Sequence, residues 1–208
     1  PTPPPSARRQ RQMCIRDSQY TPSGTSSWTL YGDIDGEGAG DASGFSVSIS
    51  SDGKRVAIGA VYNDGNGSNS GHVRIYENTS GSMWTKLGSD IDGEAAGDYS
   101  GRGVSLSSDG SRVAIGAINN DGNGSNSGHV RVFEYQVISG TATWTQLGQD
   151  IDGEAESDES GSSISLSSDG SRVAIGAMVN GHVRIYDYNG SAWVLSLIHI
   201  SEPTRRYF

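Results

Sequence analysis

The sequence is poor in cysteine, in phenylalanine and in long apolar segments. Its 208 residues include one cysteine, Cys14, and three phenylalanines. Its longest apolar runs fall well short of the roughly 18 residues that a membrane-spanning helix needs. No segment of useful length shows the 3.6-residue period of an amphipathic helix. The sequence therefore excludes membrane insertion and predicts a fold without helices, while the scarcity of cysteine leaves the redox compartment open.

Basic residues are also scarce. The chain has 15 Lys and Arg against 24 Asp and Glu, and residues 19–194 have nine against 22, which gives that span a formal charge of −13. A surface of this sign repels phosphate backbones and anionic lipid heads. We therefore expect no nucleic-acid partner, and divalent cations or basic partners fit better.

The two ends differ from the rest of the chain. Met13–Ser18 reads MCIRDS and Leu195–Ile200 reads LSLIHI, which are translations of the two strands of one DNA element resembling a sequencing-library adapter. We therefore predict that residues 1–18 and 195–208 are adapter-derived, and they are set aside as fusion scars are. On this hypothesis the natural N-terminus is missing, so a signal peptide cannot be sought.

The remaining sequence is an internal repeat. SSDGKRVAIGA at Ser50–Ala60 returns as SSDGSRVAIGA at Ser107–Ala117 and Ser167–Ala177, and a GHVR segment follows each copy. Tryptophans at positions 28, 84, 144 and 193 delimit units of approximately 28–83, 84–143 and 144–193. Repeats of this length are typical of solenoids and propellers.

Each unit predicts four short strands. In the second unit they lie in GVSLSSDG (103–110), SRVAIGA (111–117), GHVRVFEY (128–135) and TWTQLGQDI (143–151). The first alternates apolar and polar residues, and the second is a short apolar run expected to be covered on both faces. We predict an all-β fold, a partial β-propeller of about three blades of four short antiparallel strands.

Propellers usually have about 4–8 blades, so three blades predict that further blades of the same chain are missing. A four-stranded sheet cannot bury both of its faces alone, and neighbouring blades must stack to cover them. Two unsealed end faces should make the isolated chain self-associate.

The segments SVSIS, VAIGA and GHVRVF resemble the FG-GAP repeats of integrin-α-like propellers over roughly residues 28–193. Gly44 and Phe45 stand in the Phe-Gly region in reversed order, and Ile58-Gly59-Ala60 matches Gly-Ala-Pro without the proline. The resemblance implies a closed ring, commonly of seven blades, that serves adhesion or ligand binding at the cell surface or outside the cell.

Three acidic loops are the main candidate site. DIDGEGAGD (33–41), DIDGEAAGD (90–98) and DIDGEAESD (150–158) place acids at loop positions one, three, five and nine. Such alternation can direct several oxygens at one calcium ion. The predicted ligands are Asp33, Asp35, Glu37, Asp41, Asp90, Asp92, Glu94, Asp98, Asp150, Asp152, Glu154 and Asp158.

The calcium loops of integrin-type propellers resemble these in spacing. They lie between the first two strands of a blade, however, and the glycine expected at position six survives only as Gly38. A solvated acidic turn that keeps the protein in solution is the alternative interpretation.

A second loop, NDGNGSNSG at 63–71 and 120–128, is rich in the residues that long turns need, and it is also a weaker candidate for a metal or partner site. In the third unit Met178–Asn180 takes its place, so the blade does not require it.

His72, His129 and His182 recur at the start of strand three, where each unit predicts a structural hydrogen bond rather than a shared metal. Arg74, Arg131 and Arg184 follow two residues later and are expected to pair with the acidic turns at the surface.

No nucleophile and base occur together in a pattern typical of catalysis. The first functional hypothesis is therefore a propeller that is not an enzyme and that mediates adhesion or binds a protein or carbohydrate ligand. The alternative is a scaffold propeller of the TolB or tryptophan-aspartate type attached to an enzyme, because SSDGSRVA also resembles the turn-strand signature of those families.

Overall fold

The computed structural model describes residues 15–21, 27–79, 83–196 and 200–201, with side chains described for 32–79 and 83–196. All regular secondary structure in these residues is β-strand, which confirms the predicted all-β class. At the start, β1 (Ile15–Thr21) pairs antiparallel with β2 (Ser27–Ile34) in a two-stranded sheet.

Three antiparallel sheets follow, and each is one blade. The first contains β3 (Ser43–Ile49), β4 (Arg55–Ala60), β5 (His72–Glu77), β6 (Thr85–Lys86) and β7 (Ile91–Asp92). The second contains β8 (Ser100–Leu106), β9 (Arg112–Ala117), β10 (His129–Ile138), β11 (Thr141–Gln146) and β12 (Ile151–Asp152). The third contains β13 (Ser160–Leu166), β14 (Arg172–Ala177), β15 (His182–Tyr188), β16 (Trp193–Leu195) and β17 (Ile200–Ser201).

The outer strand of each blade is split into two pieces. In the second blade β11 and β12 both pair with β10, so together they form the fourth strand. The continuous strand predicted over 143–151 is therefore wrong between Gln146 and Ile151. Gly148 has a φ of 79°, a left-handed conformation that glycine adopts without strain and that interrupts an extended strand.

The Ser-Asp-Gly turn between the first two strands is held by its own side chains. Ser107 donates from Oγ to Asp109 Oδ1 at 2.7 Å, and Asp109 also accepts from the backbone N–H of Ser111 at 2.9 Å. Partial burial of Asp109 opposes ionisation, but these hydrogen bonds favour it and lower the pKa of Asp109. The repeated sequence therefore specifies a repeated hairpin.

The hydrophobic core lies between blades, as predicted. One cluster joins the first two blades: Ala57, Val73, Ile75, Leu87, Ile91, Leu106, Val113, Ile115, Phe133 and Trp144. A second joins the second and third: Ala114, Val130, Val132, Ile151, Leu166, Val173, Ile175 and Trp193. Fully burying such a side chain stabilises the fold by about 1.5–3 kcal/mol, so stacking supplies the stability that one sheet lacks.

The VAIGA strand allows neighbouring blades to approach closely. Ala57 and Ala114 are completely buried, and a Cβ atom added to Gly116 would overlap the carbonyl oxygen of Gly161 in the next blade. Serine side chains bridge the same junctions. The backbone N–H of Leu166, for example, donates to Ser105 Oγ at 2.9 Å.

Most of the predicted adapter-derived segments lies outside the described residues. β1 includes residues 15–18 of the first segment, and β17 pairs with β15 in the third blade. The origin of these segments stays a prediction.

Candidate metal site between the blades

The three acidic loops lie at the junctions between sheets. The first begins in β2, and the second and third begin directly before β7 and β12. Each is separated by one residue from the first strand of the next blade. This differs from the loops of the resembled family, which connect the first two strands of one blade. A side chain here can contact two neighbouring blades at once.

The acid at loop position nine fastens the loop to the following blade. Asn63 donates from Nδ2 to Asp41 Oδ2 at 2.8 Å, and Asn120 donates to Asp98 Oδ2 at 3.1 Å. Asn180 likewise donates to Asp158 in the third blade, where the long loop is absent. Each of the three blades therefore has an asparagine just after its second strand that makes this hydrogen bond.

The acid at position five pairs with an arginine of the next blade, as the sequence predicted. Arg74 contacts Glu37 at 2.5 Å, Arg131 contacts Glu94 at 3.3 Å, and Arg184 contacts Glu154. The three arginine side chains are only 9–15% exposed. Their glutamate partners are 40–57% exposed, so each pair joins a mostly buried arginine to an exposed glutamate at the blade junction.

The acid at position one has different partners in the first and second blades. Arg74 donates from Nε and Nη2 to the two oxygens of Asp90 at 3.0 and 2.9 Å, and Lys86 donates to the same carboxylate at 2.9 Å. Burial opposes ionisation of Asp90, but these cations outweigh it and lower its pKa to about 2. Asp150 instead accepts from Gln146 Nε2 at 2.6 Å.

The remaining predicted ligands lie at strand ends. Asp92 ends β7 opposite His72, and Asp152 ends β12 opposite His129. Asp33 lies in β2 and Asp35 follows it directly, and both are exposed.

An open cavity of about 500 Å³ lies beside the second acidic loop. Its lining includes the carboxylates of Glu94, Asp98, Asp121, Asp150 and Asp152. Burial raises the pKa of Glu94, and nearby Asp150, Asp98 and Asp152 raise it further against the opposing effect of Arg131. Burial and Asp150 also raise the pKa of Asp152. The cavity is therefore a place where a cation would relieve repulsion between carboxylates.

The second loop motif contributes to the same cavity. Asn120, Asp121 and Gly122 of the motif line it together with the acidic loops, and so does Asn119, which directly precedes the motif. Asn123 also donates from Nδ2 to the carbonyl oxygens of Gly153 and Glu154 at 2.9 and 3.0 Å. In the sequence analysis the two motifs are separate candidate sites. In the structure, the stacking of the blades brings them to the same cavity.

The histidines are a part of the site that sequence reasoning missed. His129 is 1% exposed, and its Nδ1 faces Glu94 Oε2 at 3.8 Å, which is longer than a hydrogen bond. Burial and Arg131 lower the pKa of His129 to about 4, and burial also lowers the pKa of His72. The recurrence of His-Val-Arg was the available signal, but its nearness to the acidic loops depends on the fold.

The acidic loop and the three strands after it correspond to one known repeat. Residues 34–76 and 90–133 match the model of the FG-GAP repeat. These two segments are FG-GAP repeats. Each FG-GAP segment runs from the acidic loop to the third strand of a blade. Glu94 and Asp98 of the candidate site therefore lie inside the second matched segment, whereas Asp150 and Asp152 lie beyond its end.

Several solved structures share the fold of this chain. A protein from Bacteroides uniformis inferred to be a 6-phosphogluconolactonase is 12% identical over 90% of the chain and 48% of its own length, with a TM-score of 0.62. A Bacteroides fragilis protein inferred to have the same activity is 13% identical over 94% and 57%, with a TM-score of 0.58. A functionally unknown protein from Desulfotomaculum acetoxidans is 15% identical over 88% and 47%, with a TM-score of 0.52. No curated protein sequence matches the chain.

The chain spans about half the length of these structures. Two of them carry the names of enzymes, and this overturns our prediction that the protein is not an enzyme. That prediction relied on the absence of a catalytic sequence pattern within the repeats. The names of the similar structures indicate that enzymes can have a β-propeller fold.

The described ranges contain no helix with the length and apolar character of a membrane span.

Proposed function

We propose that the chain supplies blades to a larger β-propeller that serves as the scaffold of an enzyme, with further blades of the same chain as its immediate partners. The observation that carries the proposal is the exposure of the first blade's outer face. Phe45, Val47 and Ile49 of β3 are 38%, 53% and 57% exposed. Their counterparts in β8 and β13 include Leu106 and Leu166, which are each 9% exposed or less because another blade covers them.

The opposite face, on the third blade, has the complementary feature. Val183 of β15 is 42% exposed, whereas the equivalent Val73 and Val130 are completely buried by the following blade. The exposed faces of the first and third blades thus correspond to the two sides of the blade–blade interface, which the chain already forms twice.

Unsatisfied hydrogen bonding supports the same proposal. Trp144 donates from Nε1 to the carbonyl oxygen of Leu87 at 2.8 Å, and Trp193 donates to that of Leu147 at 2.7 Å, each in the preceding blade. Trp84 Nε1 is buried without a hydrogen-bond partner in the described residues. A complete preceding blade would supply the carbonyl oxygen.

We include an enzyme in the proposal because two of the similar structures carry enzyme names. Their sequence identity of 12–13% supports the fold alone. The enzyme names favour the scaffold hypothesis over adhesion. An extracellular location and a protein or carbohydrate ligand remain proposals that accompany it.

Sedimentation tests the blade-completion part of the proposal. The chain should associate in a concentration-dependent manner through its end faces, and Val47→Lys or Val183→Lys should make it monomeric. Val137→Lys is the matched control, because Val137 is 62% exposed in β10 but lies away from both faces. A wild-type chain that is monomeric at all concentrations would contradict the proposal.

The enzymatic part needs a separate assay. A longer protein containing these blades should hydrolyse 6-phosphogluconolactone or a related lactone, and should lose that activity when Gly116→Ala disrupts the blade junction. If the folded longer protein does not hydrolyse lactones, the enzymatic part of the proposal is refuted and the proposal of a propeller scaffold still stands.

Calcium binding is a second candidate function. It is favoured by the five carboxylates around the cavity of about 500 Å³, since calcium takes six to eight oxygen ligands. Asp121→Asn and Asp152→Asn should weaken binding in a calorimetric titration. Asp109→Asn, in a hairpin turn, is the control, and no heat at millimolar calcium would refute the candidate.

A further inference from the structure

One cluster beside the cavity combines a buried nitrogen with two carboxylates. Glu94, His129 and Asp150 each direct one ligand atom to within 4.8 Å of the other two. His129 is 1% exposed, while the Glu94 side chain is 40% exposed and can adjust its position. A buried imidazole facing a carboxylate at 3.8 Å has room for an ion between the two groups.

The backbone holds two members of the cluster in place. His129 begins β10 and pairs with Ala117 on one side and Asp152 on the other, so it lies inside the sheet. Asp150 directly precedes β12, whose residues pair with β10. A site built on paired strands requires little ordering when an ion binds.

The first blade contains the same three residue types in Glu37, His72 and Asp90. There the negative charge is already compensated. Arg74 contacts both carboxylates, and Lys86 adds a second cation to Asp90 at 2.9 Å. The protein's own cations therefore occupy the positions that would attract a metal ion.

In the second blade only Glu94 has such a cation, and Asp150 has none in the described residues. Arg131 donates from Nη2 to the carbonyl oxygen of Asp92 at 2.7 Å and contacts Glu94 at 3.3 Å, and no ion pair joins it to Asp150 in the described part of the chain. Gln146 occupies the place of Lys86 and donates a neutral hydrogen bond to Asp150. One Lys-to-Gln difference thus leaves the second cluster short of positive charge.

We propose that Glu94, His129 and Asp150 bind a divalent transition-metal ion, with Zn²⁺ as the representative ion. Zinc accepts one imidazole nitrogen and carboxylate oxygens at about 2.0–2.2 Å and keeps remaining positions for water. Calcium and magnesium take oxygen ligands, so the histidine distinguishes this site from the calcium candidate.

Access and protonation agree with this assignment. Glu94 and Asp150 line the open cavity, which gives an ion a path from solvent. Because burial lowers the pKa of His129 to about 4, the imidazole is neutral near pH 7 and has a lone pair to donate. Gln146 orients Asp150 as a partner outside the ligand set.

The test is a Zn²⁺ titration of the full chain against a chromophoric chelator, repeated with Co²⁺ to read the ligand geometry from its visible absorption. All proteins carry Cys14→Ser and His199→Asn, which remove extraneous ligands from the tail sequences. We expect one ion per chain. His129→Gln should abolish saturable binding. Gln146→Lys should weaken it by about tenfold or more, because the lysine would place a cation on Asp150 as Lys86 does on Asp90, and changes in the partners of metal ligands typically cost 10–100-fold.

His72→Gln is the matched control and should leave stoichiometry and affinity unchanged. Gln146 is exposed, so Gln146→Lys keeps the test valid even if His129→Gln fails to fold. Absence of saturable Zn²⁺ binding, or binding that Gln146→Lys leaves unaltered, would overturn the proposal. Calcium binding without zinc binding would also overturn it, while leaving the calcium candidate standing.

Discussion

Asn120 donates a hydrogen bond from Nδ2 to Asp98 Oδ2 at 3.1 Å, and this pair fastens the second acidic loop to the blade that follows it. Asp98 is 4% exposed, and its same oxygen accepts from the backbone N–H of Ala95. A buried carboxylate needs such partners, because one that loses them keeps its desolvation penalty.

Replacing Asn120 by alanine should therefore destabilise the protein by about 1–3 kcal/mol. The free energy of unfolding from urea denaturation measures the effect. Asn119→Ala is the control, because Asn119 lies next in sequence and contacts Asp98 only through its backbone N–H. Equal losses in the two variants would show that the side-chain bond contributes nothing.

The tryptophans allow a paired comparison of a satisfied and an unsatisfied indole. Trp144→Phe removes the hydrogen bond to Leu87, whereas Trp84→Phe removes a buried N–H that has no partner in the described residues. We expect Trp144→Phe to cost about 1 kcal/mol more than Trp84→Phe in thermal or urea unfolding. A larger loss from Trp84→Phe would indicate that its indole is satisfied in solution.

The VAIGA glycines should tolerate a methyl group only where no blade follows. Gly116→Ala would drive a Cβ into the backbone of Gly161, and overpacking of this kind costs about 1–3 kcal/mol or more. Gly176→Ala would meet chiefly the side chain of Ser163, which can move, and should cost less. Melting temperatures of the two variants compare them directly, and similar values would contradict the close approach of the blades.

Stability should fall as the pH falls from 6.5 toward 4. Burial lowers the pKa of His129 from 6.5 to about 4 in the folded protein and also lowers that of His72. Between these values the unfolded chain binds protons that the folded chain does not, so the stabilisation present above pH 6.5 is lost on acidification. For His129 this amounts to roughly 3 kcal/mol.

Urea unfolding at pH 7 and pH 4.5 in the presence of a chelator measures this loss. His129→Gln should unfold with a smaller difference between the two pH values than the wild-type chain, because glutamine does not titrate. Parallel losses in both proteins would show that His129 is not responsible.

Much of the fold could be predicted from the sequence because it depends on local patterns. Val104 and Leu106 alternate with serines as a half-buried strand does, and Arg112–Ala117 is buried as its small apolar residues indicated. The break in the fourth strand was not predicted. It lies at Gly148, whose φ of 79° interrupts the extended backbone, and the amino-acid pattern alone does not give this conformation.

The candidate site was predicted less completely. Position nine of each loop was assigned to calcium, but Asp98 is engaged by Asn120, a contact between residues 22 positions apart. The contribution of His129 to the site was not predicted, because its carboxylate neighbours come from different elements of the fold. Glu94 follows β7 and Asp150 precedes β12. The calcium assignment itself stays a prediction.

The repeat, the all-β class and the acidic character of the loops could be derived from the amino-acid sequence, because each follows from composition and from spacing along one strand. Which charged side chains contact one another depends on how the blades stack. Arg74 and Arg131 occupy equivalent positions, yet one pairs with the following aspartate and the other does not. That outcome depends on how stacked blades bring together side chains about 37 residues apart, such as Glu94 and Arg131, and no local pattern encodes it.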